Sequence, residues 1–434
     1  MLDHFDEIMS GLTDNADTDA IYLDYAKAFD KVDHRLLLSK LHRYGFSLKL
    51  INWIESFLTN RMQTVVIDGV HSSSTITLSG VPQGTVLGPI LFILFINDMR
   101  TCIQHSKVSF FADDTRVSKQ IRSEADVALL QDDLNSLIQW ATQNNMMLHE
   151  DKFELLVHKF NPNSVLYDLP FALNHMTYQV STGVTLYPVQ HLRDLGVIVT
   201  SDLSWSTHIS SIACKARSVA SWVFSVFRSR NTTVMLTLYK SLVRSHLEYC
   251  CPLWNPSKIT DIQELEGVQR SFTRRIWGVQ HLNYWDRLKA LNLMSLQRRR
   301  ERYIIIQMWK IHYQLSPNDL GIQFVPPRHR KGIQAKVPEL RKGSLQRNQS
   351  LYDSSFAVHG PRLWNSIPCN LTLIATLDEF KHQLTAFLLT IPDKPPVSGY
   401  SCTNNNSILE WSNVNKVDNI AEVLHGRSAD LMTL

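Results

Sequence analysis

The sequence predicts an α+β fold, in which an antiparallel sheet carries helices on one face and a largely helical region follows. Two patterns predict it. Up to about residue 200, short apolar segments alternate irregularly with amphipathic helical patterns. From Trp205 to about Tyr313 the pattern is helical, with few glycines and many arginine and aromatic residues. We therefore expect a mixed domain over residues 1–200 and a helical domain after it.

The charge distribution follows the same division. Residues 1–200 contain 15 basic residues (Lys or Arg) and 23 acidic residues (Asp or Glu). Residues 201–350 contain 24 basic and 9 acidic residues, and residues 351–434 contain 5 and 8. A basic block of this size indicates contact with a polyanion, because neutralising phosphates drives nucleic-acid affinity. The alternative is a basic helical surface that is merely solvated.

Composition excludes several classes of protein. Hydrophobic residues at 44% and charged residues at 19% are typical of a globular protein rather than a disordered or fibrous one. The longest apolar run, residues 90–96, is far shorter than the roughly 20 residues that cross a bilayer. The acidic start MLDHFDEIMSG lacks the apolar core of a signal peptide. We expect a protein of the nucleus and/or cytoplasm that is not secreted and has no membrane partner.

The cysteines show neither a CxxC pair nor a Cys/His spacing that holds zinc, so we predict free thiols. They are Cys102, Cys214, Cys250, Cys251, Cys369 and Cys402.

The first elements are a strand and two helices. AIYLD (20–24) is a short apolar run that ends in a carboxylate and predicts a strand. Asp33 is a candidate N-cap of the next helix, and Gly45 lies just past its end. A second helix begins after Ser47 and has one apolar face. That face comprises Leu50, Ile51, Ile54, Phe57 and Leu58.

Two strand–turn–strand patterns and two further helices follow. QTVVID and STITL flank Asp68-Gly69 and predict two strands joined by a turn. The loop SGVPQG precedes a helix with Pro89 in its first turn. KVSFFADDTRVSKQ predicts strand, tight turn and strand. Ser123 and Asp126 are a candidate capping box for the next helix, after which ELLVH predicts a strand.

Three aspartates point to nucleotidyl transfer. Two adjacent strands can present Asp24, Asp113 and Asp114 at one edge of the sheet. In-line phosphoryl transfer commonly uses two Mg²⁺ ions about 3.5–4 Å apart, held by carboxylates, and hard oxygen ligands suit Mg²⁺. Taken singly, each residue has a simpler explanation, because an Asp-Asp dipeptide is often a turn former and Asp24 alone can cap a strand end.

Three segments in this order resemble motifs A, B and C of the reverse transcriptases of non-LTR (LINE-type) retrotransposons. They are YLDYAKAFDKVDH, SGVPQGTVLGPILFILFINDM and FFADDT. The resemblance, to jockey- and CR1-like elements, implies an RNA-directed DNA polymerase with a right-hand palm and a helical thumb. It implies that Asp24 and Asp113 bind two Mg²⁺ ions, with Mn²⁺ as a substitute, and that Asp114 is the third acidic member.

The same resemblance assigns residues to the incoming nucleotide. The backbone near Tyr25 helps bind the triphosphate, and the ring of Phe29 leaves no room for a 2′-hydroxyl, which favours dNTPs. Gln83, in a loop whose glycines allow close backbone approach, contacts the nascent base pair. The alternatives are a core position for Phe29 and a simple turn for SGVPQG.

Motifs D and E are less complete. NNMMLHEDKFELLVH resembles motif D, in which Lys152 assists the leaving pyrophosphate, although His149 and Phe153 stand where the family shows Asn and Thr. A solvated lysine is the alternative. HLRDLGVIVTSDLSW resembles motif E, the primer grip, with Leu195 and Gly196 at its centre.

The thumb-like region resembles that of the same elements in LYKSLVRSHLEYCCPLWNP and LEGVQRSFTRRIWG. Arg270, Arg274 and Arg275 fall at i, i+4 and i+5, so at least two share a helix face that could follow a phosphate backbone. A salt-bridged or solvated face is the alternative. The implied partners are an RNA template and a DNA primer or RNA/DNA hybrid.

The expected domains are a palm over residues 1–200, a basic thumb-like domain over 201–315, a C-terminal region over 316–390 and a disordered tail over 391–434. Only 23 residues precede Asp24, so we expect the fingers and the endonuclease of such elements to be missing. Little polymerase activity is then expected from this chain alone. Two hypotheses remain open, an RNA-directed DNA polymerase and a catalytically inactive nucleic-acid-binding relic of one.

Overall fold

The computed structural model describes residues 1–161, 177–326, 332–339, 345–397 and 406–415. The chain divides into two compact units. We call residues 15–195 the sheet unit, and residues 1–14 together with 196–434 the helical unit. The mixed helix and strand content agrees with the predicted fold class.

The sheet unit contains most of the strands of the described chain. They are β1 (Asp17–Leu23), β2 (Met62–Gln63), β3 (Val66–Ile67), β4 (Val70–His71), β5 (Thr75–Ile76), β6 (Lys107–Phe111), β7 (Asp114–Ile121), β8 (Glu154–His158), β9 (Tyr178–Gln179), β10 (Thr185–Leu186) and β11 (His191–Asp194). Helices are numbered along the whole chain, and those of this unit are α2 (His34–Arg43), α3 (Leu48–Leu58), α4 (Leu87–Ile96) and α5 (Glu124–Gln143).

The central sheet has four antiparallel strands in the order β6-β7-β1-β8. Side chains alternate between its two faces. Ile21, Val117 and Leu155 share a register row and are fully buried in the core that α2–α5 complete. The neighbouring row therefore faces the opposite side of the sheet, where the charged residues of the site lie.

The helix starts of the sheet unit follow the predicted capping residues. Asp33 accepts hydrogen bonds from the backbone N–H groups of Arg35 and Leu36. Ser47 accepts one from the N–H of Leu50. Ser123 and Asp126 form the predicted capping box of α5. These caps satisfy N–H groups that have no partner inside the helix.

The predicted pair of strands around Asp68-Gly69 forms, but as two short ladders rather than one long hairpin. β3 pairs with β4 across a turn in which Asp68 and Gly69 have φ values of 49° and 81°, and β2 pairs with β5. Every residue of these strands is exposed. With no buried face to fix their register, the strands pair over only short stretches.

The helical unit confirms the prediction of a helical region from Trp205 to Tyr313. Its helices are α1 (Leu2–Thr13), α6 (Ser206–Val226), α7 (Thr232–Leu238), α8 (Arg244–Glu248), α9 (Ile259–Thr273), α10 (Tyr284–Ala290), α11 (Leu296–His312), α12 (Gln346–Ser354), α13 (Phe356–Asn365), α14 (Leu377–Thr390) and α15 (Ile408–Asn415). Its short strands are β12 (Val197–Thr200), β13 (Phe324–Val325) and β14 (Gln334–Ala335).

An aromatic cluster joins α11, α13 and α14 in one core. The ring of Phe380 lies 5.6 Å from that of Trp309 and 6.1 Å from that of Trp364, between centroids. All three side chains are essentially inaccessible to solvent. Aromatic pairs at such distances stabilise a core beyond their buried area.

A buried polar network joins α9, α10 and α11. The Glu266 carboxylate, fully buried, accepts hydrogen bonds from the Tyr284 hydroxyl at 2.6 Å and from the Gln297 backbone N–H at 2.9 Å. Burial raises the pKa of Glu266 to about 7, against the opposing effect of the Tyr284 hydrogen bond.

The expected disordered tail falls partly on residues 398–405 and 416–434, which lie outside the described residues. In the described part, Ile391, Val397 and Ile408 are each at most 3% exposed. Ile391 and Ile408 belong to the hydrophobic core of the helical unit.

No helix of the described residues is long and apolar enough to cross a membrane. The five cysteines that the structure describes are free thiols, as predicted. The sixth, Cys402, lies outside the described residues.

Candidate active site

The three predicted carboxylates lie at one edge of the central sheet. The last register pair between β1 and β7 is Leu23 with Thr115, so Asp24 and Asp114 stand one position beyond it on adjacent strands. Asp113 occupies the turn before β7, next to Ala112, whose φ is 53°. The strand pairing therefore brings Asp24 and Asp114 together, and the turn places Asp113 beside them.

A cavity of about 420 Å³ opens at this edge. Its lining is mostly polar and charged, with five carboxylates and three cationic side chains. The lining residues are Tyr22, Leu23, Asp24, Phe111, Asp114, Thr115, Arg116, Asp151, Lys152, Glu154, Arg193, Asp194 and Leu195. Of the predicted catalytic aspartates, Asp24 and Asp114 line it.

The carboxylates are close enough to influence one another's ionisation. Partial burial raises the pKa of Asp114 above its usual range, and the negative charges of Asp113, Asp194 and Asp24 raise it further. Arg116 opposes the shift. Like charges gathered at one edge make the site favourable for a cation.

The side chain of Lys152 places a positive charge beside the carboxylates of this edge. Its Nζ lies 2.9 Å from Oδ2 of Asp24. The backbone supports this approach, because the N–H of His149 donates to the carbonyl of Asp24 at 2.9 Å and that of Ala26 to Met147 at 2.8 Å. The segment that resembles motif D is thus joined to the one that resembles motif A.

Arg116 and Asp194 form a buried ion pair on the same cavity, which the sequence analysis missed. Both side chains are less than a tenth exposed. Burial raises the pKa of Asp194, and Arg116 counteracts that shift. The alternation along β7 contained the signal, since Arg116 lies two residues after Asp114 and thus on the same face.

Tyr22 and Glu154 extend this charged row across the sheet. Tyr22 pairs in register with Arg116 on one side and with Glu154 on the other. Burial raises the pKa of the Tyr22 phenol, and Asp194 adds to the shift. The row was not predicted because the pairing of β8 with β1 could not be read from the sequence.

The rings of Phe29 and Tyr25, the two aromatic residues predicted at the nucleotide, lie against the core. Phe29 is half-buried and stacks on Phe92, with centroids 4.3 Å apart. Tyr25 is 5% exposed, and its hydroxyl donates to Sδ of Met99 at 3.1 Å. The backbone at Tyr25 remains at the edge beside Asp24, whereas its ring does not line the cavity.

The motif B loop is bound to the segment after β1. The Gly80 N–H donates to the carbonyl of Val32 at 2.8 Å, and the amide of Gln83 donates to a carboxylate oxygen of Asp30 at 3.1 Å. Gly80 has φ 92°, and a Cβ there would lie 2.8 Å from the Asp30 backbone. The glycine is thus required by contacts within the protein itself.

Leu195 and Gly196 both have positive φ, at 46° and 84°. Leu195 lines the cavity. In the helical unit, Arg274 and Arg275 are exposed and Arg270 is half-buried. The structure therefore places these three arginines at the end of α9, with two of them open to solvent.

The donor set suits a hard divalent cation, because carboxylate oxygens are the ligands that Mg²⁺ prefers. Asp24 and Asp114 offer such oxygens on the cavity, and their mutual repulsion would be relieved by a cation. Among the described residues, no group of three or more His, Cys, Asp or Glu side chains is already arranged around a common metal position.

The comparisons with known proteins identify a polymerase domain. Residues 10–197 match the family described as "Reverse transcriptase (RNA-dependent DNA polymerase)". The chain is 25% identical over 283 residues to the "Probable RNA-directed DNA polymerase from transposon X-element" of Drosophila melanogaster, which covers 63% of this chain and 30% of that protein. It is 29% identical over 268 residues to the "RNA-directed DNA polymerase from mobile element jockey" of the same species. That match covers 59% of this chain and 28% of the jockey protein.

The chain therefore spans about 30% of the length of these curated relatives. Among solved structures, it resembles a telomerase from Candida tropicalis in complex with a fragment of telomeric RNA. The sequences are 10% identical, the match covers 88% of this chain and 52% of that one, and the TM-score is 0.38. A TM-score this low does not establish a shared fold.

Proposed function

We propose that this chain, whose residues 10–197 match the reverse transcriptase family and whose relatives lie in LINE-type mobile elements, is an RNA-directed DNA polymerase. It adds deoxynucleotides to a primer 3′ hydroxyl on an RNA template. The proposal rests on the sheet edge where Asp24 and Asp114 stand side by side on a charged cavity. Phosphoryl transfer depends mainly on positioning and on stabilising charge, which such a site suits.

We assign Asp24, Asp113 and Asp114 to two Mg²⁺ ions, which Mn²⁺ can replace. Ions held by these carboxylates would neutralise the charge that develops on the triphosphate and on the leaving pyrophosphate. The contribution of the chain is to position the carboxylates. The register of β1 with β7 positions Asp24 and Asp114, and the turn at Ala112 positions Asp113.

Four further residues are assigned to the nucleotide. The backbone at Tyr25 contacts the triphosphate, and Gln83 contacts the nascent base pair. The ring of Phe29 excludes a 2′-hydroxyl, and its stacking on Phe92 supports that role by fixing the ring. Lys152 holds a proton at Nζ for the leaving pyrophosphate, supported by its position at Asp24.

We assign the sheet unit to the palm of the polymerase and the helical unit to its thumb and C-terminal region. Leu195 and Gly196 form the primer grip. Arg270, Arg274 and Arg275 bind phosphates of the RNA template, the DNA primer or their hybrid. Residues 201–350 hold 24 basic against 9 acidic residues, which supports this assignment.

Primer extension by an Asp113→Asn variant tests the proposal. We expect slow, Mg²⁺-dependent extension of a primed RNA template by the wild-type chain, and a loss of at least about 100-fold in the variant, because a charge-stabilising group is removed. RNA affinity should stay within about twofold, since phosphate contacts lie elsewhere. Asp132→Asn, an exposed aspartate on α5, is the matched control and should extend normally. Equal extension by wild type and Asp113→Asn would refute the assignment.

A second candidate function is nucleic-acid binding without catalysis. The contact between Lys152 and Asp24 favours it, because a protein cation already neutralises a carboxylate assigned to the metal. Salt-sensitive RNA binding by both forms, with extension by neither, is the result this candidate predicts.

A further inference from the structure

The helical unit exposes two tryptophans close to its arginines. Trp222, near the end of α6, is 53% exposed, and Trp277, just beyond α9, is 60% exposed. Trp254, Trp309 and Trp364 of the same unit are almost completely buried, as is usual for so large an apolar side chain. More than half of each of these two indoles is therefore open to solvent.

Contacts through Arg230 place both tryptophans in one region of the surface. The backbone N–H of Trp277 donates to the carbonyl of Arg230 at 3.0 Å. The guanidinium of Arg230 lies over the ring of Phe224, 5.0 Å from its centroid, and donates to the Phe224 carbonyl. The Arg230 guanidinium also donates to the Phe227 carbonyl, and the Phe227 ring lies edge-on to that of Trp222, with centroids 6.5 Å apart. The end of α6 and the end of α9 thus form a continuous surface.

This surface is strongly basic. The guanidinium of Arg275 also lies over Phe224, 4.7 Å from its centroid, and Arg228 and Arg274 are exposed. Among the described residues, no acidic side chain forms an ion pair with Arg228, Arg274 or Arg275. Residues 203–247 contain six Lys or Arg and no Asp or Glu. Residues 267–285 contain three Lys or Arg and, again, no Asp or Glu. The positive charge is therefore not neutralised locally.

We propose that this aromatic–arginine patch, formed by Trp222, Arg228, Arg274, Arg275 and Trp277, binds an unpaired nucleic-acid strand. Exposed aromatic rings stack on unpaired bases irrespective of sequence, and neighbouring arginines bind the phosphates. A duplex hides its base faces and offers only phosphates to such a surface. The patch deepens the proposed function and rests on it, since the strand it fits is an unpaired part of the template.

Fluorescence anisotropy tests the patch on the full chain without metal or nucleotides. The probe is a labelled oligouridine of about 12 nucleotides, compared with an RNA duplex of the same length. Trp222→Ala and Trp277→Ala should each weaken oligouridine binding by about tenfold, with less than about twofold effect on the duplex. The slope of affinity against salt should not change, because no charge is removed.

Two further variants sharpen the test. Arg274→Ala with Arg275→Ala should lower the salt slope by about 0.7 for each charge removed. Trp222→Phe keeps an aromatic face and should retain most of the affinity. The matched control is Trp53→Ala, which removes a tryptophan that is 58% exposed in the sheet unit and should bind normally.

The proposal is overturned if Trp222→Ala and Trp277→Ala bind oligouridine as tightly as the wild-type chain, or lose duplex binding equally. It is also overturned if the tryptophan changes abolish self-association in sedimentation while leaving RNA affinity intact, since the patch would then join two copies. If the wild-type chain binds oligouridine normally but cannot extend primers, the proposed polymerase function is refuted, whereas the proposal that the aromatic–arginine patch binds an unpaired strand is not.

Discussion

At the scale of single residues, Asp24 has two competing partners. The structure pairs it with Nζ of Lys152 at 2.9 Å, whereas the proposed function requires its carboxylate to bind a metal ion. Both side chains are at least one third exposed, so the pair contributes only about 0.2–1 kcal/mol. A divalent cation can therefore displace the lysine at small cost.

Removing that lysine should strengthen metal binding while impairing catalysis. We expect Lys152→Met to bind Mn²⁺ up to about fivefold more tightly, because the competing ammonium is lost. Electron paramagnetic resonance of free Mn²⁺ measures the affinity. Lys119→Met is the control, since its partner Asp126 does not line the cavity. Unchanged or weaker Mn²⁺ binding in Lys152→Met would contradict the placement of the metal at Asp24.

At the scale of elements, the conformation of the motif B loop depends more on Gly80 than on Gly84. Gly80 and Gly84 both have positive φ, but only Gly80 has the Asp30 backbone at 2.8 Å from the position of a Cβ. Gly84→Ala should cost about 1–2 kcal/mol of folding free energy from backbone strain alone. Gly80→Ala should cost more than that, because the loop must also move away from the segment after β1.

Urea unfolding of the two variants measures this difference. Equal destabilisation by Gly80→Ala and Gly84→Ala would show that the loop is not held against the Asp30 backbone. Gly80→Ala should also lose more primer-extension activity than Gly84→Ala, because the loop carries Gln83.

The polar network between α9 and α11 makes stability depend on pH. The pKa of Glu266 is about 7 in the folded chain and lies near 4.5 when exposed. Between these values the folded state holds a proton that the unfolded state has released, so stability falls as pH rises through this window. The shift corresponds to about 3 kcal/mol.

A Glu266→Gln variant isolates that effect. Relative to wild type, its unfolding free energy should rise by about 3 kcal/mol between pH 4.5 and pH 8, because glutamine does not ionise. Glu264→Gln, a partly exposed glutamate on the same helix, is the control and should show no such change. A pH-independent difference for Glu266→Gln would mean that this carboxyl is ionised in the folded chain.

Local elements were predicted well because their signals are local. The caps at Asp33, Ser47 and Ser123 each involve a side chain and an N–H within three residues, so the sequence contains both partners. The alternation along β7 indicates only that Arg116 shares a face with Asp114, whereas its partner Asp194 lies 78 residues away and no local pattern identifies it. The position of the aspartates at one sheet edge was predicted because the spacing of the motifs, rather than any one residue, is informative.

At the scale of the whole molecule, charge and architecture divide in the same way. The sheet unit carries the carboxylates of the site, and the helical unit carries the basic segment 201–350, which has 24 Lys or Arg against 9 Asp or Glu. This separation suits an enzyme that binds a polyanion with one unit and metal ions with the other. The aromatic–arginine patch adds a means of distinguishing unpaired from paired strands.

The most direct test of the central claim is extension of a DNA primer on an RNA template by the full chain with Mg²⁺, first with dNTPs and then with rNTPs. The account predicts extension with dNTPs and little with rNTPs, because the ring of Phe29 excludes a 2′-hydroxyl. Failure to extend with either substrate, in Mg²⁺ or Mn²⁺ and with RNA binding intact, would contradict it and leave the chain a nucleic-acid-binding protein.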